Sequence, residues 1–304
     1  MALKEIQHGY EVRTIVSSDG GTRASFVPEK GGTGSSLVIG GRELLFQHDF
    51  FWERQTEKIP GGWPFLFPIC GRLERGGQVG QYLYDGRLYQ MQSHGFGPRL
   101  PWKVIETDRE DTLILQLTDT DATREMYPFR FEVRLTYRAE KDALVCEQIY
   151  SNRGSVAMPY YAGFHPYFRI PAPGAGKEKV QLDYKPVRAF KYNERLTDLA
   201  GETALPRLPA AVTDPAINER ITRVGEDRET KLMLPDGLTI HMAAEGVEDS
   251  DLFPYIQLYT MADKPFFCVE PWMGFPNALN TVAGARWLKP GQSERGMLRV
   301  WITQ

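Results

Sequence analysis

Residues 130–137 read RFEVRLTY, and this stretch indicates most clearly how the chain folds. Apolar and polar residues alternate along it, which is the period of a strand that buries one face. The buried face would consist of Phe131, Val133, Leu135 and Tyr137. Comparable strand patterns recur at residues 113–117, 143–150, 238–243, 255–260 and 297–302. Residues 11–16 and 23–27 predict an opening hairpin, because the Ser-Asp-Gly-Gly sequence at 18–21 has turn chemistry.

Helical patterns are scarce in this sequence. No segment keeps an apolar period of 3.6 residues over a dozen positions, and only residues 119–126 could form one or two turns, before Pro128 ends them. The 29 glycines and 21 prolines interrupt the chain throughout, with the best loop candidates at residues 171–176 and 206–215. Many short strands with frequent turn signals predict an all-β antiparallel sandwich or barrel with few short helices. Similar strand patterns lie on both sides of each loop, so we expect one domain that spans residues 1–304.

The composition is that of an ordinary globular protein, and it argues against several classes of function. The 304 residues are 42% hydrophobic and 25% charged, with a net charge of −3, so there is no overall electrostatic case for binding nucleic acid or a membrane surface. No run of about 18 apolar residues occurs, and the first residues lack the apolar core of a signal peptide. Cys70, Cys146 and Cys268 are scattered in apolar segments, which predicts buried free thiols in a reducing compartment. We therefore expect a cytoplasmic protein without nucleic-acid or membrane partners.

Three segments depart from the strand pattern, because each combines His or Glu with glycine, proline and aromatic residues. They are residues 59–73 together with 93–99, residues 160–170 around His165, and residues 265–280 around Glu270. Strand interiors avoid glycine and proline, whereas sites are often built on strand ends and loops. We therefore expect these segments at strand ends and loops, where they could form a site.

Glu270 is the strongest candidate in these segments. It follows the apolar run FFCV and precedes Pro271 and Trp272, and a carboxylate in such surroundings is costly unless it is partnered or functional. His94 and His165 could equally be structural hydrogen-bonding residues when each is considered alone, and Arg72 could brace a loop. Structural roles are favoured for the remaining histidines, His8, His48 and His241, although His48, beside Asp49 and aromatic residues, could border a site.

No common cofactor motif occurs in the sequence. The glycine-rich residues 31–36 do not match a phosphate-binding loop, and the patterns CxxC, HExxH and GxSxG are absent. His94, His165 and Glu270 could in principle form a two-histidine, one-carboxylate metal set, but they lack local ligand spacing. We expect no metal and no cofactor.

At these segments the chain resembles the aldose 1-epimerase (galactose mutarotase) superfamily. The matching stretches are FPICGRL at 67–73, HGFG at 94–97 with LPW at 100–102, AGFHPYF at 162–168, YIQLYT at 255–260, and CVEPWMGFPNALN at 268–280 followed by LKPG at 288–291. They occur in the family's order and cover most of the chain. The resemblance implies a large antiparallel β-sandwich (a supersandwich) with an open groove for a sugar substrate, in a monomer or a homodimer.

The resemblance also implies a role for individual residues. Glu270 would be the general base and His165, as an imidazolium, the general acid, while His94 would hold the side of the ring oxygen. Arg72 would bind sugar hydroxyls, and Gln257 would orient the sugar or the catalytic carboxylate. We expect Trp272 and Arg99 to contact the substrate as well. An apolar collar of Trp272, Phe267 and Phe275 would raise the pKa of Glu270 and make it a better base near neutral pH.

Two positions depart from the family pattern. Gly71 stands where galactose mutarotases carry asparagine, which weakens the case for galactose. The family's HGFxR motif has Pro98 at the arginine position, with Arg99 one residue later, which weakens the analogy to hexose-6-phosphate mutarotases. Arg72, Arg75 and Arg99 could still collect an anion. Asp251 is the candidate for the family's sugar-binding aspartate.

The function expected from the sequence is therefore anomer interconversion by an aldose 1-epimerase. A glycoside-active enzyme on the same fold is one alternative, and it would need Asp49, Glu53 or Asp251 beside Glu270, because hydrolysis uses two carboxylates about 5–9.5 Å apart. A non-catalytic sugar-binding or sensor protein is another, and a hexose-6-phosphate mutarotase is a third.

Overall fold

Antiparallel sheets dominate the regular secondary structure of the chain. The computed structural model describes residues 1–53, 59–247 and 251–304. Within these residues there are 28 strands, two short α-helices and one 3-10 helix. Neither α-helix of the described chain is long and apolar enough to cross a membrane.

The strands are β1 (Leu3–Gln7), β2 (Tyr10–Val16), β3 (Thr22–Val27), β4 (Thr33–Ile39), β5 (Arg42–Glu43), β6 (Phe65–Leu66), β7 (Glu74–Arg75), β8 (Gln78–Val79), β9 (Gln81–Tyr84), β10 (Arg87–Gln90), β11 (Lys103–Ile105), β12 (Thr112–Thr118), β13 (Phe131–Glu140), β14 (Ala143–Asn152), β15 (Met158–Tyr160), β16 (Gly163–Phe164), β17 (Tyr167–Arg169), β18 (Gln181–Asp183), β19 (Pro186–Tyr192), β20 (Leu199–Thr203), β21 (Ala210–Ala211), β22 (Arg220–Val224), β23 (Glu229–Met233), β24 (Thr239–Gly246), β25 (Tyr255–Tyr259), β26 (Phe266–Trp272), β27 (Arg286–Leu288) and β28 (Ser293–Thr303). The helices are α1 (Asp121–Met126), the 3-10 helix Lys177–Lys179 and α2 (Ala278–Thr281).

Three of the sheets are large. The first has the order β1-β2-β3-β4-β5. The second has nine strands in the order β11-β12-β13-β14-β28-β24-β23-β18-β21. The third has eight, in the order β20-β19-β22-β25-β26-β16-β6, with β17 also paired to β26. Because β28 lies between β14 and β24, the end of the chain completes the middle of the nine-stranded sheet.

Side-chain alternation explains how the sheets pack. Along β13, Phe131, Val133, Leu135 and Tyr137 are buried and the residues between them are less so, as predicted. Tyr137 packs on Phe26 of the first sheet, with ring centroids 4.2 Å apart. Tyr150 of the nine-stranded sheet stacks on Phe65 of the eight-stranded sheet at 6.1 Å. One continuous apolar core therefore joins all three sheets.

The sequence-based predictions of fold class and strands are confirmed. The hairpin of β2 and β3, the helical turns of α1 and the strands at all six predicted positions are present. The three cysteines are buried and free. Two local expectations are wrong. The loop at 206–215 contains the short strand β21, and Glu270 lies inside the regular strand β26, where Pro271 is tolerated opposite Ile256.

Candidate active site

A cavity of about 600 Å³ opens over the strand pair β25–β26 in the middle of the eight-stranded sheet. All seven of the site residues proposed from the sequence line it: Arg72, His94, Arg99, His165, Gln257, Glu270 and Trp272. They come from positions up to 200 residues apart, so only the folded sheet brings them together.

Strand β26 presents Glu270 to this cavity. Successive side chains of a strand point to opposite faces, so Cys268, Glu270 and Trp272 share one face. Phe267 belongs to the other face and packs in the main core. Its predicted place in an apolar collar is therefore wrong. Phe275 is also absent from the cavity wall, because it packs against Tyr255 with ring centroids 4.2 Å apart.

Backbone pairing places His165 opposite Glu270. Gly163 pairs with Trp272 and Tyr167 pairs with Cys268, so the chain between them runs alongside Glu270. Gly163 is required for this approach, since a Cβ there would lie 2.7 Å from the carbonyl oxygen of Pro271. The imidazole then stacks on Tyr167, with ring centroids 4.6 Å apart and planes within 4°.

His165 and Glu270 form a buried pair. The Nε2 atom of His165 lies 3.4 Å from Oε1 of Glu270, and the two side chains are 7% and 1% exposed. The indole Nε1 of Trp272 donates a hydrogen bond of 3.2 Å to the other carboxylate oxygen. Burial raises the pKa of Glu270 well above its ordinary value, and the negative charge of Glu219 adds to this.

Burial has the opposite effect on the histidine. It lowers the pKa of His165 from 6.5 to about 3, because a cation loses its hydration there. A role for His165 as an imidazolium acid would therefore require its pKa to rise when substrate binds. Burial thus disfavours the charged form of both groups, which are the carboxylate of Glu270 and the imidazolium of His165. The Nδ1 atom of His165 is buried without a hydrogen-bond partner among the described residues.

His94 is held by its own loop in a defined tautomer. Its backbone N–H donates to the carbonyl of Gly71 at 2.8 Å, and the Gly71 N–H donates to Nδ1 of the ring at 3.2 Å. A ring nitrogen that accepts a hydrogen bond is unprotonated, so the neutral ring carries its proton on Nε2. Burial, followed by the charges of His165, Arg99 and Arg72, lowers the pKa of His94 well below its ordinary value. The ring is therefore a neutral Nε2–H donor.

Arg99 stabilises this loop. Its Nη1 donates to the carbonyls of Ser93 and Gly95, at 3.0 and 2.7 Å, and so brackets His94 from both sides. His94 and Gly95 both adopt positive φ, and a Cβ on Gly95 would lie 2.2 Å from the carbonyl oxygen of Phe67. Arg99 lines the cavity, as expected, but these two bonds give it a bracing function as well.

Gln257 lies directly across the sheet from Glu270, in the register of β25 and β26. Its Nε2 donates to the carbonyl of Leu258 at 3.0 Å, and its Oε1 accepts a hydrogen bond of 2.8 Å from the hydroxyl of Tyr192. Both atoms of the amide are thus engaged. Gln257 is consequently a fixed polar wall beside the carboxylate, and Tyr192 is a cavity residue that the sequence analysis missed.

A second carboxylate in the cavity was also missed. Glu219 lines the wall with a left-handed backbone, φ 48°, at the turn before β22. Burial raises the pKa of Glu219, and the positive charge of Arg72 opposes this shift, so the two side chains interact across the cavity. Arg72 also donates from Nη1 to the carbonyl of Arg195 at 3.0 Å. The local sequence around Glu219 carried no signal, because the residue lies in a loop region whose position only the sheet defines.

Asp251 is not a cavity residue. Its carboxylate accepts hydrogen bonds from Arg223 and Arg228 at the surface. Of the other two carboxylates considered from the sequence, Asp49 lines the cavity and Glu53 does not. The carboxylate whose charge acts on Glu270 is Glu219, so the candidate sugar-binding acid moves from Asp251 to Glu219.

The other histidines and Arg75, which were also considered from the sequence, lie partly in the cavity and partly outside it. His48 lines the cavity and stacks on Phe50, with centroids 5.1 Å apart, although a structural role was expected. His8 stacks on Trp52, and His241 bonds to Glu229 and Thr303, as structural residues do. Arg75 is exposed on β7 outside the cavity, so it cannot join Arg72 and Arg99 in collecting an anion.

The grouping of possible metal ligands also differs from the set considered from the sequence. Within the described residues, ligand atoms of His165, Cys268 and Glu270 all lie within 4.8 Å of one another. Cys268 thus takes the place that His94 had in the set considered above.

Comparison with known proteins identifies the family of the chain and structures with a similar fold. A model of the aldose 1-epimerase family matches residues 13–301. Protein LacX (chromosomal) of Lactococcus lactis subsp. lactis is 24% identical over 241 residues, which cover 76% of this chain and 80% of LacX. The crystal structure of Slr1438 from Synechocystis sp. PCC 6803 has a TM-score of 0.81 at 27% identity, covering 100% of this chain and 96% of that one. Galactose 1-epimerase from Lactobacillus acidophilus NCFM shares the fold, with a TM-score of 0.73 at 12% identity over 100% and 98% of the two chains. Because the family model spans nearly the whole chain, this protein belongs to the aldose 1-epimerase family.

Proposed function

We propose that this protein interconverts the α and β anomers of a free aldose by acid–base ring opening. The observation that supports this most is the buried pair of His165 and Glu270 at the cavity wall, whose nitrogen and carboxylate oxygen lie 3.4 Å apart. Membership of the aldose 1-epimerase family also supports this reaction.

Mutarotation needs one proton acceptor and one proton donor close together. The anomeric hydroxyl loses a proton while the ring oxygen gains one, and both oxygens are bonded to the same carbon. A nitrogen and a carboxylate oxygen in contact can therefore serve both atoms. The ring opens to the aldehyde, the C1–C2 bond rotates, and the ring closes on the other face with the two roles reversed. Each well-placed proton transfer is worth about 10²–10⁴-fold in rate.

Substrate binding would prepare the pair for this reaction. In the free protein burial favours the neutral forms of both His165 and Glu270. A hydrogen bond donated by the anomeric hydroxyl favours the charged carboxylate, because it replaces part of the lost hydration. The proton then moves to His165, which becomes the acid, and Glu270 becomes the base. The total number of protons on the pair does not change.

The other cavity residues suit the binding of a polar ring. The Nε2–H of His94 can donate to the ring oxygen, whose developing charge it would stabilise. Arg72 and Glu219 offer a donor and an acceptor for neighbouring hydroxyls. Trp272 and Tyr167 supply aromatic surface. Pro98 stands at the arginine position of the family's HGFxR motif, with Arg99 one residue later, which favours a neutral aldose over a hexose phosphate.

The test is the rate at which fresh α-anomers of a panel of aldoses, free and 6-phosphorylated, reach equilibrium in polarimetry or NMR. We expect the protein to accelerate equilibration of at least one free aldose, and Glu270→Gln to return the rate close to background while the sugar still perturbs the fluorescence of the protein. Glu229→Gln is the matched control, since it alters a histidine-paired glutamate outside the cavity. Sugar binding without acceleration would establish a non-catalytic sugar-binding protein. Release of sugar from a glycoside would establish a hydrolase.

A further inference from the structure

We propose that His165 and Glu270 of the cavity wall, together with the buried Cys268 beside Glu270 on β26, also bind a thiophilic divalent cation, Zn²⁺ or Cd²⁺, and that this cation competes with the sugar. The nitrogen, sulfur and oxygen ligand atoms lie within 4.8 Å of one another. Two of the ligands follow from the alternation along β26, and the third from the pairing of β16 and β17 with that strand.

The chemistry of the three ligands selects the class of ion. Imidazole, thiolate and carboxylate together suit zinc-like cations, whereas magnesium and calcium prefer oxygen ligands. Zinc bonds to nitrogen and oxygen are about 2.0–2.2 Å and those to sulfur about 2.3 Å, so a small convergence of the side chains closes the set.

Charge balance also favours an ion at this position. A bound cation would carry two positive charges and would be neutralised by one thiolate and one carboxylate. Burying such a neutral set costs less than burying isolated anions, and any protons on the Cys268 thiol and the Glu270 carboxyl pass to water when the ion binds. Trp272, which donates to Oε2 of Glu270, would orient this ligand as outer partners do in metal sites.

The position of the site explains the competition. His165 and Glu270 line the cavity, while Cys268 is fully buried on the same strand face beneath them. Three protein ligands leave a fourth coordination position, which water could occupy from the cavity side. A metal there would use the lone pair of His165 and the carboxylate of Glu270, which are the two groups that the proposed reaction requires.

Calorimetric titration of the metal-free protein with Cd²⁺, together with the ultraviolet charge-transfer absorption of a cadmium–thiolate bond, tests the site directly. We expect one ion per chain and a thiolate band in the wild type. Cys268→Ala should weaken binding by at least about 100-fold and abolish the band, because a direct ligand should contribute no less than an outer partner does. Cys268→Ser, which preserves side-chain volume, should do the same. Cys146→Ala is the matched control, as another buried free thiol outside the cavity, and should bind as the wild type does.

Absence of saturable Cd²⁺ binding in the wild type, or equal affinity in Cys268→Ala, would overturn the site. Competition is tested separately, by repeating the titration in a saturating concentration of a sugar that binds. We expect the apparent affinity for Cd²⁺ to fall more than tenfold, and an unchanged affinity would overturn the competition. These measurements do not use catalysis, so a protein that binds Cd²⁺ as described but never accelerates mutarotation would retain the metal site and lose the proposed enzymatic function.

Discussion

The described residues contain two histidine–glutamate pairs, and the difference between them shows what distinguishes a site from a structural contact. His241 and Glu229 lie 2.6 Å apart with side chains 11% and 31% exposed, and the second nitrogen of His241 bonds to Thr303. His165 and Glu270 are 3.4 Å apart, are more deeply buried, and leave Nδ1 of the histidine without a partner among the described residues. The surface pair is satisfied, whereas the cavity pair is left with unused bonding capacity.

Burial without full hydrogen bonding is costly, so a protein retains it where another molecule completes the bonds. The cavity gives a ligand access to His165 and Glu270, whereas His241 is not among the residues that line it. Two pairs with the same chemistry therefore differ in function because of their surroundings. The following experiments change one pair at a time.

The largest expected effect comes from replacing His165, and the same replacement at His241 provides the comparison. His165→Gln removes the group that passes a proton to the ring oxygen, and we expect mutarotation to slow by about 10²–10⁴-fold. His241→Gln changes the same residue type in the satisfied pair and should leave kcat within about twofold, since His241 does not line the cavity. Anomerisation followed by NMR exchange measures both. Equal rates in the two variants would remove the distinction between the pairs.

A somewhat smaller effect is expected when His94 is replaced. Its hydrogen bonding is intermediate between that of His241, which uses both ring nitrogens, and that of His165. One ring nitrogen of His94 accepts from Gly71, and Nε2–H remains as a donor. His94→Asn tolerates the positive φ of 64° at this position but loses that donor, and we expect kcat/KM to fall by about 10²–10³-fold. The dependence of kcat/KM on pH should keep its shape in this variant, because His94 donates a hydrogen bond without changing its charge. An unchanged kcat/KM would show that His94 only supports the loop.

The smallest effect is on thermal stability. Replacing the glutamate of each pair with glutamine should change Tm differently in the two pairs. Glu270 has a folded pKa well above 4.5, so above that pH the unfolded chain releases a proton that the folded protein retains. Stability is therefore lost as pH rises from about 4.5 toward the raised pKa. Glu270→Gln removes this loss, and we expect its Tm at pH 8 to exceed that of the wild type by a few degrees, with the difference vanishing near pH 4. Glu229→Gln should leave Tm unchanged or lower it.

Differential scanning calorimetry at the two pH values gives these melting temperatures. If Glu270→Gln is less stable than the wild type at pH 8, the carboxyl is stabilised in the fold rather than strained by it.

Sequence patterns predicted the sheets well because alternation directly records which face of a strand is buried. RFEVRLTY became β13, and the apolar context of Glu270 identified a costly carboxylate. The same alternation could have corrected the collar, since Phe267 lies an odd number of positions from Glu270 and must point away from it. Phe267 was assigned to the collar because it is close to Glu270 in sequence, without regard to the two-residue period of a strand.

Other parts of the site could not be predicted in this way. Glu219 and Tyr192 reach the cavity only because β19, β22 and β25 are neighbours in the sheet, and strand order is not encoded in any local window. The low pKa of His165, about 3, could not be predicted either, because it results from burial by residues distant in sequence.

The central claim is that His165 and Glu270 act as one proton-transferring unit, and a double-mutant cycle on kcat/KM for mutarotation tests it most directly. We predict that His165→Gln, Glu270→Gln and the double variant all lose about the same activity, because removing either member of a unit disables the other. If the two losses instead multiply in the double variant, the side chains act independently, and a shared proton cannot be the basis of the reaction.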